Sequence, residues 1–381
     1  MRGRDGKERV YVAYGKDSAA MARLVLEAAK LEERIPKGGL VALKPNLVVS
    51  KPASSGATTH PEIARAAATY LREKGFSRLV IMEGSWVGDS TGKAFKASGF
   101  EALAKELGLP LVDLQEDSYS LRPDGRGGRI AICDAALEAD FILNLPVIKG
   151  HCQTLVTCAL KNMKGCIPDD EKSRFHELGL HEPIARLNAA LKSGFTLADG
   201  ICGDLDFEEG GNPVPMGIVA GSWDPVLLDS YVCRLLGHRI EDVPYIGLAE
   251  SYGIGSSNLR AAEVVELGDK EEAAAAPPPS GKVRVLAARV DEKAACSACY
   301  AALIHGLARV QEGGGLGALD RRLAALGGKI RIGRGFRRDP GNGATPGIGF
   351  GACARGAGLW VEGCPPDGGA AADFLESLIE E

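Results

Sequence analysis

The chain has 381 residues, 45% hydrophobic and 25% charged, and its 45 Lys and Arg against 50 Asp and Glu leave a formal net charge of -5. That length implies two domains, or one large α/β domain with an appendage. The slight acidity removes any electrostatic reason to expect nucleic acid, so an anion bound by this chain must be held locally. No apolar stretch of about 18 residues occurs and the start, MRGRDGKERV, is charged, so a cytoplasmic protein with no membrane span is expected. Ten cysteines in such a chain point to metal or redox use of some of them, not to a disulfide framework.

In chain order, strand-like and helix-like segments alternate. Arg9 to Tyr14 reads as a strand, Ser18 to Glu33 as a helix, Leu40 to Leu47 as a strand, and Pro61 to Lys74 as a helix with proline in its first turn. Arg78 to Glu83 reads as the next strand, Thr91 to Leu107 as helical, with short strands near Leu111 and Ile130. The apolar run Asp140 to Leu145 then reads as a central strand, stopped by Pro146, which has no N–H for a sheet ladder. This rhythm predicts an α/β fold with a mainly parallel sheet and helices on both faces. Ligands in such sheets bind beyond the carboxyl ends of the strands, so the polar residues just past each strand are the candidates. They are Lys44-Pro45-Asn46, Glu83-Gly84-Ser85, Lys149 to His151, Asp199-Gly200 after Phe195 to Leu197, and Asp224-Pro225 after Gly217 to Gly221.

The stretch from Asn144 to Gly165 is the richest of these. Lys149 and His151 follow the central strand within a turn, and Lys161 and Lys164, three apart, share a face on a helix with Asn162 beside them. Ammonium groups suit a carboxylate or phosphate, so Lys44, Lys149, Lys161 and Lys164 are expected to hold a small anion. Asn46, Asn162, Thr58 and Thr59 are expected to add donors, the threonines from the Gly/Ser/Thr loop that precedes Pro61. His60 or His151 is the acid/base candidate, because imidazole titrates near neutrality, and Glu83 and Asp199 are expected to orient such a base or hold a metal ion. Each has a plainer reading. A single lysine is usually solvated surface, Thr59 or His60 is an ordinary helix cap, and Asp199-Gly200 is an ordinary turn. Lys44 resists the plainer reading, since it directly follows Leu40 to Leu43 and must be partly buried. The phosphate loop, the zinc-protease helix motif and the hydrolase nucleophile elbow are all missing from the sequence.

The ordered series Lys44-Pro45-Asn46-Leu47, Thr58-Thr59-His60-Pro61, Glu83-Gly84-Ser85, Asn144-Leu145-Pro146 with Lys149 and His151, Ala159-Leu160-Lys161-Asn162 with Lys164-Gly165, Asp199-Gly200 and Asp224-Pro225 resembles the family called domain of unknown function three-hundred-and-sixty-two, over about residues 8 to 268. The resemblance implies a prokaryotic α/β domain that is frequently fused to, or encoded with, iron–sulfur modules. Many such proteins carry paired C-x-x-C-x-x-C-x-x-x-C-P runs. This chain has none, so a two-cluster relay is not expected.

Its tail is different. Residues 1–268 are read as the α/β domain, 269–281 as a linker rich in charge, alanine and proline, and 282–381 as a small domain in which Val283 to Leu286 reads as a strand. Cys296 and Cys299 form a C-x-x-C pair, and Cys353 and Cys364 complete a set of four. Such thiolates suit one [4Fe–4S] cluster, a structural zinc, or, for the pair alone, a redox dithiol. Zinc ribbons usually supply a second compact C-x-x-C, whereas Cys353 and Cys364 are eleven apart, and Gly363-Cys364-Pro365-Pro366 resembles a proximal-cluster loop of iron–sulfur oxidoreductases. The other six cysteines, at 133, 152, 158, 166, 202 and 233, read as small buried hydrophobes, with Cys152 and Cys166, which flank the pocket stretch, as possible exceptions. The expected function is an iron–sulfur oxidoreductase or electron-transfer protein acting on a small anionic substrate or cofactor, with an electron-transfer partner protein. The alternative is a non-redox enzyme, ligand-binding or metal-cofactor-handling protein whose four-cysteine site is structural.

Overall fold

A computed structural model describes residues 8–272, 281–338 and 345–380, so residues 273–280 of the expected linker lie outside the described residues. The chain divides into two compact units. One takes the described residues up to Lys172 and from His181 to 272, and the other takes Ser173–Leu180 and the residues from 281 onward.

In the first unit the strands are β1 (Arg9–Tyr14), β2 (Val41–Pro45), β3 (Leu79–Glu83), β4 (Leu111–Asp113), β5 (Tyr119–Pro123), β6 (Arg129–Cys133), β7 (Phe141–Leu145), β8 (Lys149–His151), β9 (Leu155–Thr157), β10 (Phe195–Asp204), β11 (Pro213–Ser222) and β12 (Glu263–Gly268). Eight of them form one sheet in the order β12-β1-β11-β10-β7-β2-β3-β4. It is mostly parallel, as the βα rhythm predicts; only β11 runs against its neighbours β1 and β10. Every residue of β2, β3 and β7 is buried. Both faces of these strands are therefore covered, which is why they read as continuous apolar runs with no alternation. The register sets Lys44 beside Asn144 and Pro45 beside Leu145 at the carboxyl ends of β2 and β7.

Two expected helices are shorter than their composition suggests. The first spans Ser18–Ala28, capped by Asp17, which accepts from the Ala19 and Ala20 N–H groups. Lys30 then turns into the left-handed region (φ 49°) and a single 3-10 turn, Leu31–Glu33, follows. The region from Thr91 to Leu107 is two helices, Thr91–Ala97 and Phe100–Leu107, broken at Gly99 (φ 83°), a conformation that glycine adopts without cost. Strand β5, not singled out in the sequence, is the hairpin partner of β6 and is largely exposed, Tyr119 and Leu121 included.

The second unit is built on β13 (Val290–Glu292), β14 (Ile330–Ile332), β15 (Thr345–Phe350) and β16 (Ala357–Val361), parallel and in sequence order. Helices Ser297–Glu312, Leu316–Ala325 and Gly368–Glu380 accompany the sheet. Val283 to Leu286, expected as a strand, belongs instead to the helix Lys282–Ala287. Its buried residues, Val283 and Leu286, are three apart, a helical spacing that four residues cannot distinguish from alternation.

Candidate functional site

Lys44 is fully buried at the end of β2, and its ammonium forms an ion pair with Glu83 at the end of β3, also buried, while donating to the Pro45 carbonyl at 2.8 Å. Burial pushes the Glu83 carboxyl up against the pull of Lys44. Gly165 packs on this pair, and a Cβ there would stand 2.6 Å from the Lys44 Nζ. Beside it runs a chain of amides. Asn162 donates to the Asn144 Oδ1 (2.7 Å), Asn46 donates to the Asn162 Oδ1 (2.8 Å), and Lys149 donates to the Asn46 Oδ1 (3.1 Å). Thr59 donates to the Leu145 carbonyl and Thr58 to the Lys51 carbonyl. The two threonines thus fasten the loop ahead of Pro61.

A second cluster centres on Glu208, which the sequence reading does not single out. Lys161 donates to its Oε2 at 2.6 Å and the His151 Nε2 stands 3.0 Å from its Oε1. Lys149 is saturated, donating to the Ala57 and Glu208 carbonyls at 2.5 and 2.7 Å in addition to Asn46. Burial opposes the charge of Glu208, but His151 and Lys161 outweigh it and hold the carboxyl well below its ordinary range. Burial takes His151 down to about 4, and its Nδ1 accepts from the Gln153 and Thr154 N–H groups. His151 is therefore a neutral Nε2–H tautomer locked in the structure. Lys164 differs from the other lysines of the cluster. It is half-buried, pushed down to about 7 by burial and by the Lys161 charge, and no carboxylate or carbonyl among the described residues accepts from it. Lys161 and Lys164 lie on a short α turn, Ala159–Asn162, that runs directly into a 3-10 turn, Met163–Cys166, in place of one regular helix.

Asp199 is fully buried within β10 and is not a turn residue. Its Oδ2 accepts from the His60 N–H at 2.7 Å and meets the His60 Nδ1 at 2.8 Å. Burial works against a charged ring, but Asp199 and then Cys202 overcome it and raise His60 to about 10. The unfolded imidazole titrates near 6.5, so the folded pKa is the higher one. Stability from this pair is fully present below about pH 6.5 and is lost as pH rises through about 10. Denaturant midpoints should therefore fall between those limits in the wild type, and Asp199→Asn should flatten that slope. A parallel slope in the variant would assign it to other groups.

In the second unit, Cys296 caps the helix Ser297–Glu312, with Cys299 in its first turn, just past β13. Cys353 and Cys364 follow β15 and β16. The Cys299 thiol donates to Cys296 and, with the Arg334 charge, holds it down to about 6, while Cys296, burial and the nearby Cys353 and Cys364 push Cys299 up. Gly351 lines this group, where a Cβ would stand 3.0 Å from the Cys299 Sγ. Among the described residues no three Cys, His, Asp or Glu side chains stand arranged to hold one ion. As a donor set, four soft sulfurs with one thiolate ionised near neutrality fit an iron–sulfur cluster or zinc.

The candidate side chains of the first unit thus fall at the carboxyl ends of β2, β3 and β7 or in the segments that follow, with Asp199 inside β10. Cys152 and Cys166 are buried, the Cys166 thiol raised to about 12 and that of Cys152 well above its ordinary value by burial; the exception among the six is Cys202, half-buried beside His60. Asp229 also escapes the sequence reading. Buried on the helix Pro225–Leu235, it accepts from the Ala159 and Leu160 N–H groups at 2.6 and 3.1 Å and so anchors the start of the Lys161 segment. Nothing local marks it, since its partners are about 70 residues away in the chain.

No helix among the described residues is long and apolar enough to cross a membrane. The chain is 27% identical over 241 residues to the thylakoid-associated protein sll1697 of Synechocystis, covering 60% of this chain and 72% of that one. The lactate racemase apoprotein of Thermoanaerobacterium thermosaccharolyticum has a distant likeness in fold, with a TM-score of 0.39 at 15% identity, over 59% of this chain and 56% of that one. Residues 41–234, half of the chain and the part that carries nearly all of the buried polar clusters just described, match the family described as Domain of unknown function (DUF362), and the chain belongs to that family.

Proposed function

We propose that this chain is an iron–sulfur protein of the oxidoreductase class, with one [4Fe–4S] cluster on Cys296, Cys299, Cys353 and Cys364 and a small anionic ligand in the crevice of the α/β unit. The cluster would exchange single electrons with that ligand or with a redox partner protein. One observation supports the reading: Cys296 and Cys299 follow β13, Cys353 follows β15 and Cys364 follows β16, all strands of one parallel sheet, and such sheets present ligands beyond their carboxyl ends. Support for the anion comes from Lys164. Lys44 and Lys161 already have carboxylate partners and Lys149 is saturated, so Lys164 is the ammonium left to meet an incoming charge. An anion there would favour its protonated form, so binding should tighten as pH falls through about 7.

Full-length protein purified without oxygen is expected to contain about four irons, with a visible band that dithionite bleaches. Cys364→Ser should lose the iron, whereas Lys164→Ala should keep it and weaken oxalate binding by about tenfold, equivalent to about 1.4 kcal/mol. One zinc, no colour and no reducible signal would overturn the redox reading and favour a structural four-cysteine site. Unchanged oxalate affinity in Lys164→Ala would remove the crevice assignment.

A further inference from the structure

Five lysines reach the buried polar clusters of the first unit. Lys44 pairs with Glu83 and Lys161 with Glu208, while Lys149 and Lys172 donate to backbone carbonyls, Lys172 also to Asp169. Lys164 is half-buried and has no acceptor among the described residues. Its surroundings disfavour a charge. Lys161 lies three residues before it, on the α turn that runs into the 3-10 turn of Lys164, a separation that sets side chains next to each other. Gly165, the next residue, packs on the Lys44–Glu83 pair, where a Cβ would stand 2.6 Å from the Lys44 Nζ. Two ammonium groups therefore stand on either side of Lys164 along this segment, and the carboxylates are taken, Glu83 by Lys44 and the two oxygens of Glu208 by Lys161 and His151. An amine placed so gives up its proton readily: burial, then the Lys161 charge, bring Lys164 down to about 7 against the pull of Glu208. A lysine that is unpartnered, half-buried and in large part unprotonated at neutral pH is a nucleophile toward carbonyls. The cluster leaves a second polar group over. Thr157 stands opposite Lys149 in the β8–β9 hairpin, on the face that Lys149 and His151 share, and its buried Oγ1 has no partner among the described residues. That hydroxyl marks the cluster as open to an oxygen-bearing ligand.

We infer that Lys164 forms an imine with the carbonyl carbon of a small 2-oxo acid. The Nζ lone pair adds to that carbon as the carbonyl π pair moves onto oxygen, and a proton passes from nitrogen to that oxygen through solvent. The carbinolamine then loses its hydroxyl together with the remaining N–H proton as water, and the C=N bond forms. Amine and carbonyl give imine and water, and nothing is oxidised or reduced. Once protonated, the imine keeps a positive charge beside the substrate carboxylate and draws electrons from the neighbouring C–H bonds. The inference rests on the crevice reading above, in which Lys164 meets the anion, and it names the class of that anion. Oxalate copies the 2-oxo carboxylate without a carbonyl that can form the imine.

The test is reductive trapping. Full-length protein is incubated at pH 7 with millimolar pyruvate and sodium cyanoborohydride, which reduces an imine to a stable secondary amine, and the adducts are located by peptide mass analysis. Nα-acetyllysine in the same solution is the reference amine. Lys164 is expected to be labelled at least about tenfold faster than the reference, whose amine titrates near 10.4, and oxalate should slow the labelling. Acetone, which lacks the carboxylate, should show a smaller advantage over the same reference. A rate at Lys164 no faster than the reference overturns the assignment, and that measurement needs no variant to fold. Labelling that oxalate does not slow, or an equal advantage with acetone, overturns the 2-oxo acid. Oxalate affinity in Lys164→Ala is a separate readout, so absent labelling alongside oxalate binding that depends on Lys164 overturns the imine and leaves the anion reading standing.

Discussion

Replacing Glu208 by glutamine is expected to destabilise the α/β unit by about 3–5 kcal/mol at pH 7, the cost of removing one partner from a buried ionic group. Glutamine keeps the shape and can still accept from the His151 Nε2–H, so the loss isolates the charge. Lys161, bonded to the Glu208 Oε2 at 2.6 Å, is left without a counter-charge in a cluster that already holds Lys149 and Lys164. It must either stay charged in a poor environment or release its proton. The double variant Glu208→Gln with Lys161→Met should recover much of the loss, because a buried pair replaced as a pair leaves no orphan. The pH dependence has a definite sign. Glu208 is held below its ordinary value in the fold, so its stabilisation is complete above the unfolded carboxyl range near 4.3 and disappears as pH falls through the folded value. Wild type and Glu208→Gln should therefore differ most at neutral pH and converge in acid. Urea unfolding followed by the fluorescence of Trp86 and Trp223 measures this, and equal midpoints at pH 7 would mean that Glu208 is not the keystone of the cluster.

What the sequence makes legible is the part of the site that follows strands directly. A lysine after four apolar residues, as at Lys44, has to lie at the end of a buried strand, and a proline after another such run, as at Pro146, has to end it. The same rule misjudges Asp199. Ala198-Asp199-Gly200 has turn composition, yet β10 continues to Asp204. Its small residues serve close approach of neighbouring backbone: a Cβ at Gly203 would overlap the Ile148 carbonyl, and one at Gly150 would overlap the Leu205 carbonyl. These two glycines bring the β8 segment, with Lys149 and His151, against the segment leading to Glu208. Neither the contact nor its carboxylate has a local signature, because an acidic run after a strand (Asp204, Asp206, Glu208, Glu209) reads as solvated surface. The four cysteines are legible as a set through their spacing and the Gly-Cys-Pro-Pro loop. The strand ends that carry the four are not, since β13 is only three residues long and the segment before it turned out helical.

Lys44→Met should show the second large effect, a loss of about 3–5 kcal/mol at neutral pH, because it strands Glu83 in a fully buried position. Burial already raises the Glu83 carboxyl with Lys44 in place, so without the ammonium the group will take a proton. A carboxyl whose folded pKa lies above its unfolded one contributes stability that is present at low pH and lost as pH rises through the folded value. The cost of Lys44→Met should accordingly shrink near pH 4 and grow towards pH 8, opposite in origin to the acid convergence of Glu208→Gln, where the wild type weakens. Glu83→Gln alone strands the ammonium instead, and that cost should shrink in acid, where protonation of Glu83 strands the ammonium in the wild type as well. The double variant Lys44→Met with Glu83→Gln should lose well less than the sum of the single losses, since removing both partners leaves neither charge stranded. A cost for Lys44→Met that does not change with pH would mean that Glu83 keeps its charge on another cation, for which Lys172 is the candidate. If instead both single variants were as stable as wild type, the Lys44–Glu83 contact would not hold the strand ends together, and Lys44 would rejoin Lys164 as an ammonium available to the ligand.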